Sequence, residues 1–244
     1  MAVPTIVFDL DGTLVDTAPD LIATLNTILK REGLPPVAFE AARNMVGGGA
    51  RHMIERGLAA APSLPSPASG GRLGWGTADV ERLCGQFIDH YATHIADRSR
   101  PFPGVEAALD ELARAGCRLA VCTNKLEWLS LRLLGALGLT DRFAAICGAD
   151  TFGVQKPNAA ILHGTVARAG GRSDAAIMVG DAITDIAVAR AAGIAVIAVD
   201  FGYSETPVAE LGPDRIVSSF ARLPEVVFAL LAARKDEIPH KVNR

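Results

Sequence analysis

At 244 residues the chain has room for one large domain or two small ones, and half of its residues are apolar, so it can bury a sizeable core. Its 24 basic against 27 acidic residues give a net charge of −3, which excludes a broad basic surface for nucleic acid and an acidic interaction tail. No apolar run reaches the roughly 18 residues of a membrane span, and the start, Met-Ala-Val-Pro, carries no basic segment, so neither an anchor nor a secretory signal is expected.

Residues 5–8 form a short apolar run that reads as a fully buried strand. It ends in two carboxylates, Asp9 and Asp11, which in an extended chain face the same side. Gly12 follows and permits a tight turn and close backbone approach. From residue 18 the pattern turns helical, with Leu21, Ile22, Leu25, Ile28 and Leu29 on one face and Gly33, Pro35 and Pro36 as the stop. A second helix is predicted from about residue 39, ending in Val46-Gly47-Gly48-Gly49, and a third from about 50 to 60. Composition then shifts. Pro62, Pro65 and Pro67, with Gly70, Gly71, Gly74 and Gly76, read as an irregular, mobile loop at about 62–78, with Trp75 as a partly exposed anchor. A helix resumes over 79–95, carrying Val80, Leu83, Phe87, Ile88 and Tyr91.

After residue 100 strands and helices alternate. Helices are predicted over 105–115, 127–137, 157–169 (with Pro157 at its first position), 183–192 and 223–233. Strands are predicted over 118–122, 144–147, 175–179, 194–199 and 215–217. This alternation implies an α/β fold with a Rossmann-like parallel sheet. The expected division is a core of residues 1–15 plus 99–234, an inserted helical cap of 16–98 lying over the strand ends as a lid, and a charged tail of 235–244.

Polar residues fall after strand ends, where α/β sheets bind ligands. Asp9 and Asp11 follow the first strand, Thr123 and Asn124 the LAVC strand, Lys156 the loop after AICGAD, and Asp181 with Asp185 the IMVG strand. Carboxylates gathered there repel one another, each close pair by about 4 kcal/mol at an effective dielectric of 20. An all-oxygen ligand set suits Mg²⁺. Asp185 has a second reading, as an acid in the first turn of a helix. Lys156 and Thr123 suit an anion, and a helix beginning at Pro157 adds a positive end nearby.

The stretches VFDLDGTLVDT, VCTNK, QKPNAAIL and MVGDAITD, in that order, resemble the four motifs of the haloacid dehalogenase-like hydrolases. Within that superfamily, Asp16-Thr17, Met45 to Gly49, Pro101 to Val105 and Thr123-Asn124-Lys125 look like the phosphoglycolate phosphatases. The resemblance implies a Mg²⁺-dependent phosphomonoester hydrolase working through an aspartyl-phosphate, most readily on 2-phosphoglycolate. The alternatives are a phosphosugar mutase resembling β-phosphoglucomutase, or a phosphatase for another small phosphate or pyrophosphate. Asp9 would be the nucleophile and Asp11 the acid and base. Thr123, Asn124 and Lys156 would hold the phosphoryl group, Gly12 and Thr13 would shape the turn, and Asp9, Asp11, Asp181 and Asp185 would serve the metal. One departure stands out: Ala182 replaces the serine usual after Gly-Asp, removing a hydroxyl from the metal's surroundings. In the cap, Gly48 and Arg51 are candidates for the far end of the substrate. Lys125 either reaches the site or caps the next helix, and His90 with His94 reads as a polar helix face. Cys84, Cys117, Cys122 and Cys147 contain no CxxC pair and are expected as free thiols in a reducing cytoplasm. The expected partner is a small phosphorylated molecule, with neither nucleic acid nor membrane, and the chain is expected as a monomer or homodimer.

Overall fold

The computed structural model describes residues 3–60 and 75–236. Residues 62–74 of the expected loop and 237–244 of the expected tail lie outside them.

The chain begins with β1 (Thr5–Phe8) and makes a two-residue strand, β2 (Val15–Asp16). It then enters four helices: α1 (Ala18–Arg31), α2 (Phe39–Arg43), α3 (Gly49–Ala60) and α4 (Thr77–Thr93). A second two-residue strand, β3 (Arg100–Pro101), brings the chain back. The rest alternates: α5 (Val105–Arg114), β4 (Arg118–Cys122), α6 (Glu127–Ala136), β5 (Ala145–Cys147), α7 (Ala159–Arg168), β6 (Ala176–Gly180), α8 (Ile183–Ala191), β7 (Ala195–Val199), β8 (Arg215–Val217) and α9 (Leu223–Asp236).

Six strands form one parallel sheet in the order β5-β4-β1-β6-β7-β8. β1 lies between β4 and β6, with Phe8 level with Val121 on one side and Val179 on the other. The register therefore sets Asp9 level with Cys122 and Gly180, so that Thr123 and Asp181 follow one residue further beyond the two neighbouring strand ends. The Asp9 amide extends the ladder by donating to the Val179 carbonyl at 2.9 Å. β1, β6 and β7 are buried throughout, as expected of strands covered on both faces. Their side chains alternate between two apolar layers. Ile6 and Phe8 pack with Leu109, Leu133 and Val227, whereas Val7 and Met178 pack with Ile161, Val166 and Ile186. The first layer continues into the helices α1–α4 through Leu21, Leu25, Ile54 and Phe87. Trp75 packs, partly buried, against the same layer.

Several boundaries differ from the sequence expectation. α2 stops at Arg43 rather than running to Val46, and α3 starts at Gly49, because the backbone at Gly47 and Gly49 takes φ of 99° and 85°, outside the helical region. α7 starts at Ala159, two residues after Pro157. Asn158 is the N-cap, its side chain accepting from the Ala160 amide at 2.9 Å, and Pro157 follows a cis peptide outside the helix. The positive helix end expected at Pro157 is thus displaced. α9 continues to Asp236, through Arg234 and Lys235, residues that favour helix.

The sequence reading also missed the crossing point. β2 and β3 pair antiparallel where the chain leaves and re-enters the sheet. Asp20, buried at the start of α1, ties the two passages together. Its carboxylate accepts from the Arg98 amide at 2.9 Å, the Ser99 amide at 2.8 Å and the Ser99 hydroxyl at 2.7 Å. Hydrogen bonds to a buried carboxylate rank among the stronger ones.

Candidate active site

Asp9, Asp11, Thr123, Lys156, Asp181 and Asp185 are all buried polar residues gathered beyond the strand ends. Lys156 is the centre of the group. Its ammonium lies 2.6 Å from Asp185 Oδ1 as a hydrogen bond and 2.9 Å from Asp9 Oδ1 as an ion-pair contact. Asn124 fixes the lysine's backbone: its Oδ1 accepts from the Lys156 amide at 2.9 Å and its Nδ2 donates to the Lys156 carbonyl at 3.4 Å. The Asn124 side chain therefore works on Lys156, rather than standing free for a phosphoryl group. The Thr123 hydroxyl accepts from the Lys125 amide at 3.2 Å and keeps its own proton for another partner.

Asp181 is held at both oxygens. The Thr13 hydroxyl donates to Oδ1 at 2.6 Å and the Tyr203 amide to Oδ2 at 2.8 Å. Asp185 has two duties. Besides Lys156, its Oδ2 accepts from the amides of Asp181 and Ala182 at 3.1 and 3.0 Å. Ala182 is the N-cap of α8, and Asp185, three residues on, reaches back to its amide as the acid of a capping box does. Asp185 thus stands in the first turn of α8, as one of its two sequence readings has it, with its other oxygen on Lys156.

The group is electrostatically unbalanced. Asp9, Asp181 and Asp185 can each direct one oxygen to within 4.8 Å of the others'. Three carboxylates against the Lys156 ammonium leave a formal charge of −2 in a buried space. Burial, followed by repulsion from Asp185, pushes the Asp9 carboxyl up to about 8 despite Lys156. The same two causes push Asp181 up to about 7, against the donors Thr13 and Tyr203. Burial also disfavours the Lys156 ammonium, but Asp185 and Asp9 outweigh it and raise its pKa. Among the described residues Asp11 Oδ1 is buried without a hydrogen-bond partner, and Asp9 Oδ1 has the ion-pair contact with Lys156 alone. An orphaned buried oxygen, an all-oxygen donor set and a charge of −2 fit a divalent cation such as Mg²⁺.

Gly12 is required by this packing. Its φ is +85°, and a Cβ there would lie 2.5 Å from Asp181 Oδ2 and 2.7 Å from Tyr203 Cδ2. Gly12→Ala should therefore cost about 1–3 kcal/mol through backbone strain and overpacking. At about 2–4 °C per kcal/mol for a chain of this size, Tm should fall by roughly 2–12 °C. A thermal melt checks this, and an unchanged Tm would show that the Asp181 loop yields freely.

Above the group lies a cavity of about 570 Å³, whose wall includes Asp11, Gly48, Arg51, Tyr91, Asn124 and Lys125. It is formed where α3 and α4 face the strand ends. Arg51 stands on its wall about half exposed, 3.7 Å from Glu55 and 3.5 Å from Glu81. His90, half-buried in the last turn of α4, and His94, its exposed C-cap residue, stack on each other at 4.3 Å. All four cysteines are unpaired, and burial pushes the Cys122 thiol up to about 12.

Of the two readings of Lys125, the structure has the one that reaches the site: its ammonium lies 3.0 Å from Asp11 Oδ2. Two further site-bordering residues escaped the sequence reading. Tyr91, read as one apolar position of α4, places its hydroxyl 3.4 Å and its ring centroid 4.5 Å from that ammonium. Tyr203 carried no local signal. Besides holding Asp181, its hydroxyl donates to Asp16 at 2.5 Å and accepts from the Ala18 amide at 3.1 Å.

Comparison with known proteins agrees with this geometry. Residues 6–199 match the model of the haloacid dehalogenase-like hydrolase family, and the chain belongs to that family. A phosphoglycolate phosphatase of Agrobacterium fabrum is 45% identical over 232 residues, 95% of either chain. One from Mesorhizobium japonicum is 48% identical over 91% of this chain and 94% of its own. The crystal structure of a predicted phosphoglycolate phosphatase from Haemophilus somnus superposes with a TM-score of 0.82 at 30% identity, over 92% of this chain and 97% of that one. The chain is thus a phosphatase. Among the described residues, no helix is long and apolar enough to cross a membrane.

Proposed function

We propose that the chain hydrolyses 2-phosphoglycolate in the cytoplasm, with Mg²⁺ as its cofactor and Asp9 as its nucleophile. The observation that carries this reading is the buried Asp9 carboxylate, 2.9 Å from the Lys156 ammonium, in a cluster bordering a cavity that α3 and α4 cover. The names of the Agrobacterium and Mesorhizobium relatives supply the substrate. The unpaired cysteines fit a reducing compartment. Residues 16–98 serve as the cap, hinged at β2 and β3.

Asp9 attacks phosphorus, and the bond from its oxygen to phosphorus forms as the glycolate oxygen departs. Asp11 gives that oxygen a proton and then takes one from the water that cleaves the aspartyl-phosphate. Lys156 and the Thr123 hydroxyl offset charge on the transferring group. Asp9, Asp181 and the Asp11 carbonyl would hold Mg²⁺, with Asp185 behind them. When bound, the ion relieves the repulsion among carboxylates and between Asp9 and the phosphate.

Phosphate release from 2-phosphoglycolate, phosphosugars, pyrophosphate and p-nitrophenyl phosphate tests the reading, before and after EDTA. Release should be fastest from 2-phosphoglycolate, stop with EDTA and return with Mg²⁺. Full activity in a metal-free preparation overturns the metal assignment. Phosphosugar isomerisation without phosphate release points to a mutase.

A further inference from the structure

Lys125 is an unusual group to find beside an acid that must move protons. Its side chain is 6% exposed, and it pairs with Asp11 at 3.0 Å while sitting over the face of Tyr91 at 4.5 Å. The lysine comes from the loop after β4, Asp11 from the loop after β1, and Tyr91 from α4. That loop is anchored from below: the Ala149 amide donates to the Lys125 carbonyl at 3.0 Å, and Asp150 accepts from the Glu127 amide at 2.7 Å. The backbone of Lys125 is thus fixed, and only its four-carbon stem can move. Its ammonium borders the cavity and, among the described residues, pairs with one carboxylate, whose second oxygen has no hydrogen-bond partner there. Arg51, the other cation on the wall, already lies near two glutamates and is half exposed, so an anion there competes with partners in water.

We propose that Lys125 recognises the carboxylate end of the substrate, and that this anion draws its ammonium away from Asp11. This rests on the 2-phosphoglycolate reading and names the residue that selects for it. Tyr91 holds the lysine in place when the cavity is empty, through its ring face and hydroxyl. A substrate with a carboxylate two bonds from the ester oxygen supplies a new partner for the ammonium and frees Asp11. A substrate with a neutral tail leaves the Lys125–Asp11 pair intact. The enzyme therefore couples recognition of the far end of the substrate to release of its acid.

The test compares kcat/KM for 2-phosphoglycolate and for p-nitrophenyl phosphate in the parent, in Lys125→Met and in Arg51→Ala. Thermal melts of each confirm folding. Lys125→Gln, which keeps a donor to Asp11 without the charge, repeats the test should Lys125→Met not fold. The parent should prefer 2-phosphoglycolate. Removing Lys125 should lower the ratio of the two kcat/KM values by roughly 10- to 150-fold, the worth of one charge-assisted hydrogen bond. Arg51→Ala should keep the ratio. Calorimetric titration of 2-phosphoglycolate into the Asp9→Asn protein, with and without Lys125→Met, should show weaker binding by a similar factor. A parent without preference overturns the substrate reading and the inference with it. A parent with preference, retained by both Lys125 variants, overturns the inference alone. Loss of the ratio in Arg51→Ala instead gives the role to Arg51.

Discussion

Asp9→Asn should lower turnover by at least roughly 10³-fold while leaving the protein folded, because it removes the attacking oxygen's charge without changing volume. The same substitution should change how stability depends on pH, and the sign follows from burial. The Asp9 carboxyl is held up at about 8 and Asp181 at about 7, against 3.8 for an ordinary aspartate. A raised acid binds its proton more tightly in the folded chain than in the unfolded one. Without metal, stability is therefore greatest below the unfolded value and declines as pH rises through the folded values. Between pH 5 and 8 the metal-free parent should lose Tm, and Asp9→Asn should lose less. Mg²⁺ should raise the parent's Tm more at pH 8 than at pH 5, since it binds the ionised carboxylates. Melts across that range with and without Mg²⁺ measure all three. Parallel curves for parent and mutant would show that Asp9 does not titrate in this window. Near-parent turnover in the mutant would remove it as nucleophile.

The strands and their polar ends were legible in the sequence for a physical reason. A strand buried on both faces must be apolar throughout, so Thr5–Phe8, Ala176–Gly180 and Ala195–Val199 announce themselves, and the first charged residue beyond each marks the end. That the ends lie level depends on strand order and register, which no local pattern encodes; the family motifs supplied it instead. The residues that escaped are those whose roles arise from distant contacts. Tyr203 meets Asp16 across 187 positions, and Tyr91 meets Lys125 across 34. Asp20 has no role that its own neighbours in the sequence reveal, yet it joins both passages of the crossing through Ser99, 79 residues on. The misplaced start of α7 is different, because the signal was present. Asn158 is a strong N-cap residue, and its side chain capping Ala160 overrode the preference of Pro157 for a first helical turn.

The largest stability effect should come from Lys156→Met. The lysine is fully buried between two carboxylates, and methionine has nearly its volume without its charge. Removing one partner from a buried ion pair strands the others and costs about 3–5 kcal/mol. At about 2–4 °C per kcal/mol, Tm should fall by roughly 6–20 °C at pH 8. The loss should shrink toward pH 5. There Asp9 and Asp181, already raised acids in the parent and more so without the ammonium, carry protons and no longer need a counter-charge. Activity should fall by roughly 10²–10³-fold, as when one preorganised donor to a transition-state anion is deleted. A second substitution separates charge from packing. Asp185→Asn removes the carboxylate that hydrogen-bonds Lys156 at 2.6 Å, while its side-chain oxygen can still accept from the amides at the start of α8. If stranded charge is the cause, the double variant Lys156→Met/Asp185→Asn should be more stable than the two single losses added together, by about 0.5–3 kcal/mol. Additive losses, with the same pH profile as the parent, would instead assign the cost to packing around the lysine stem.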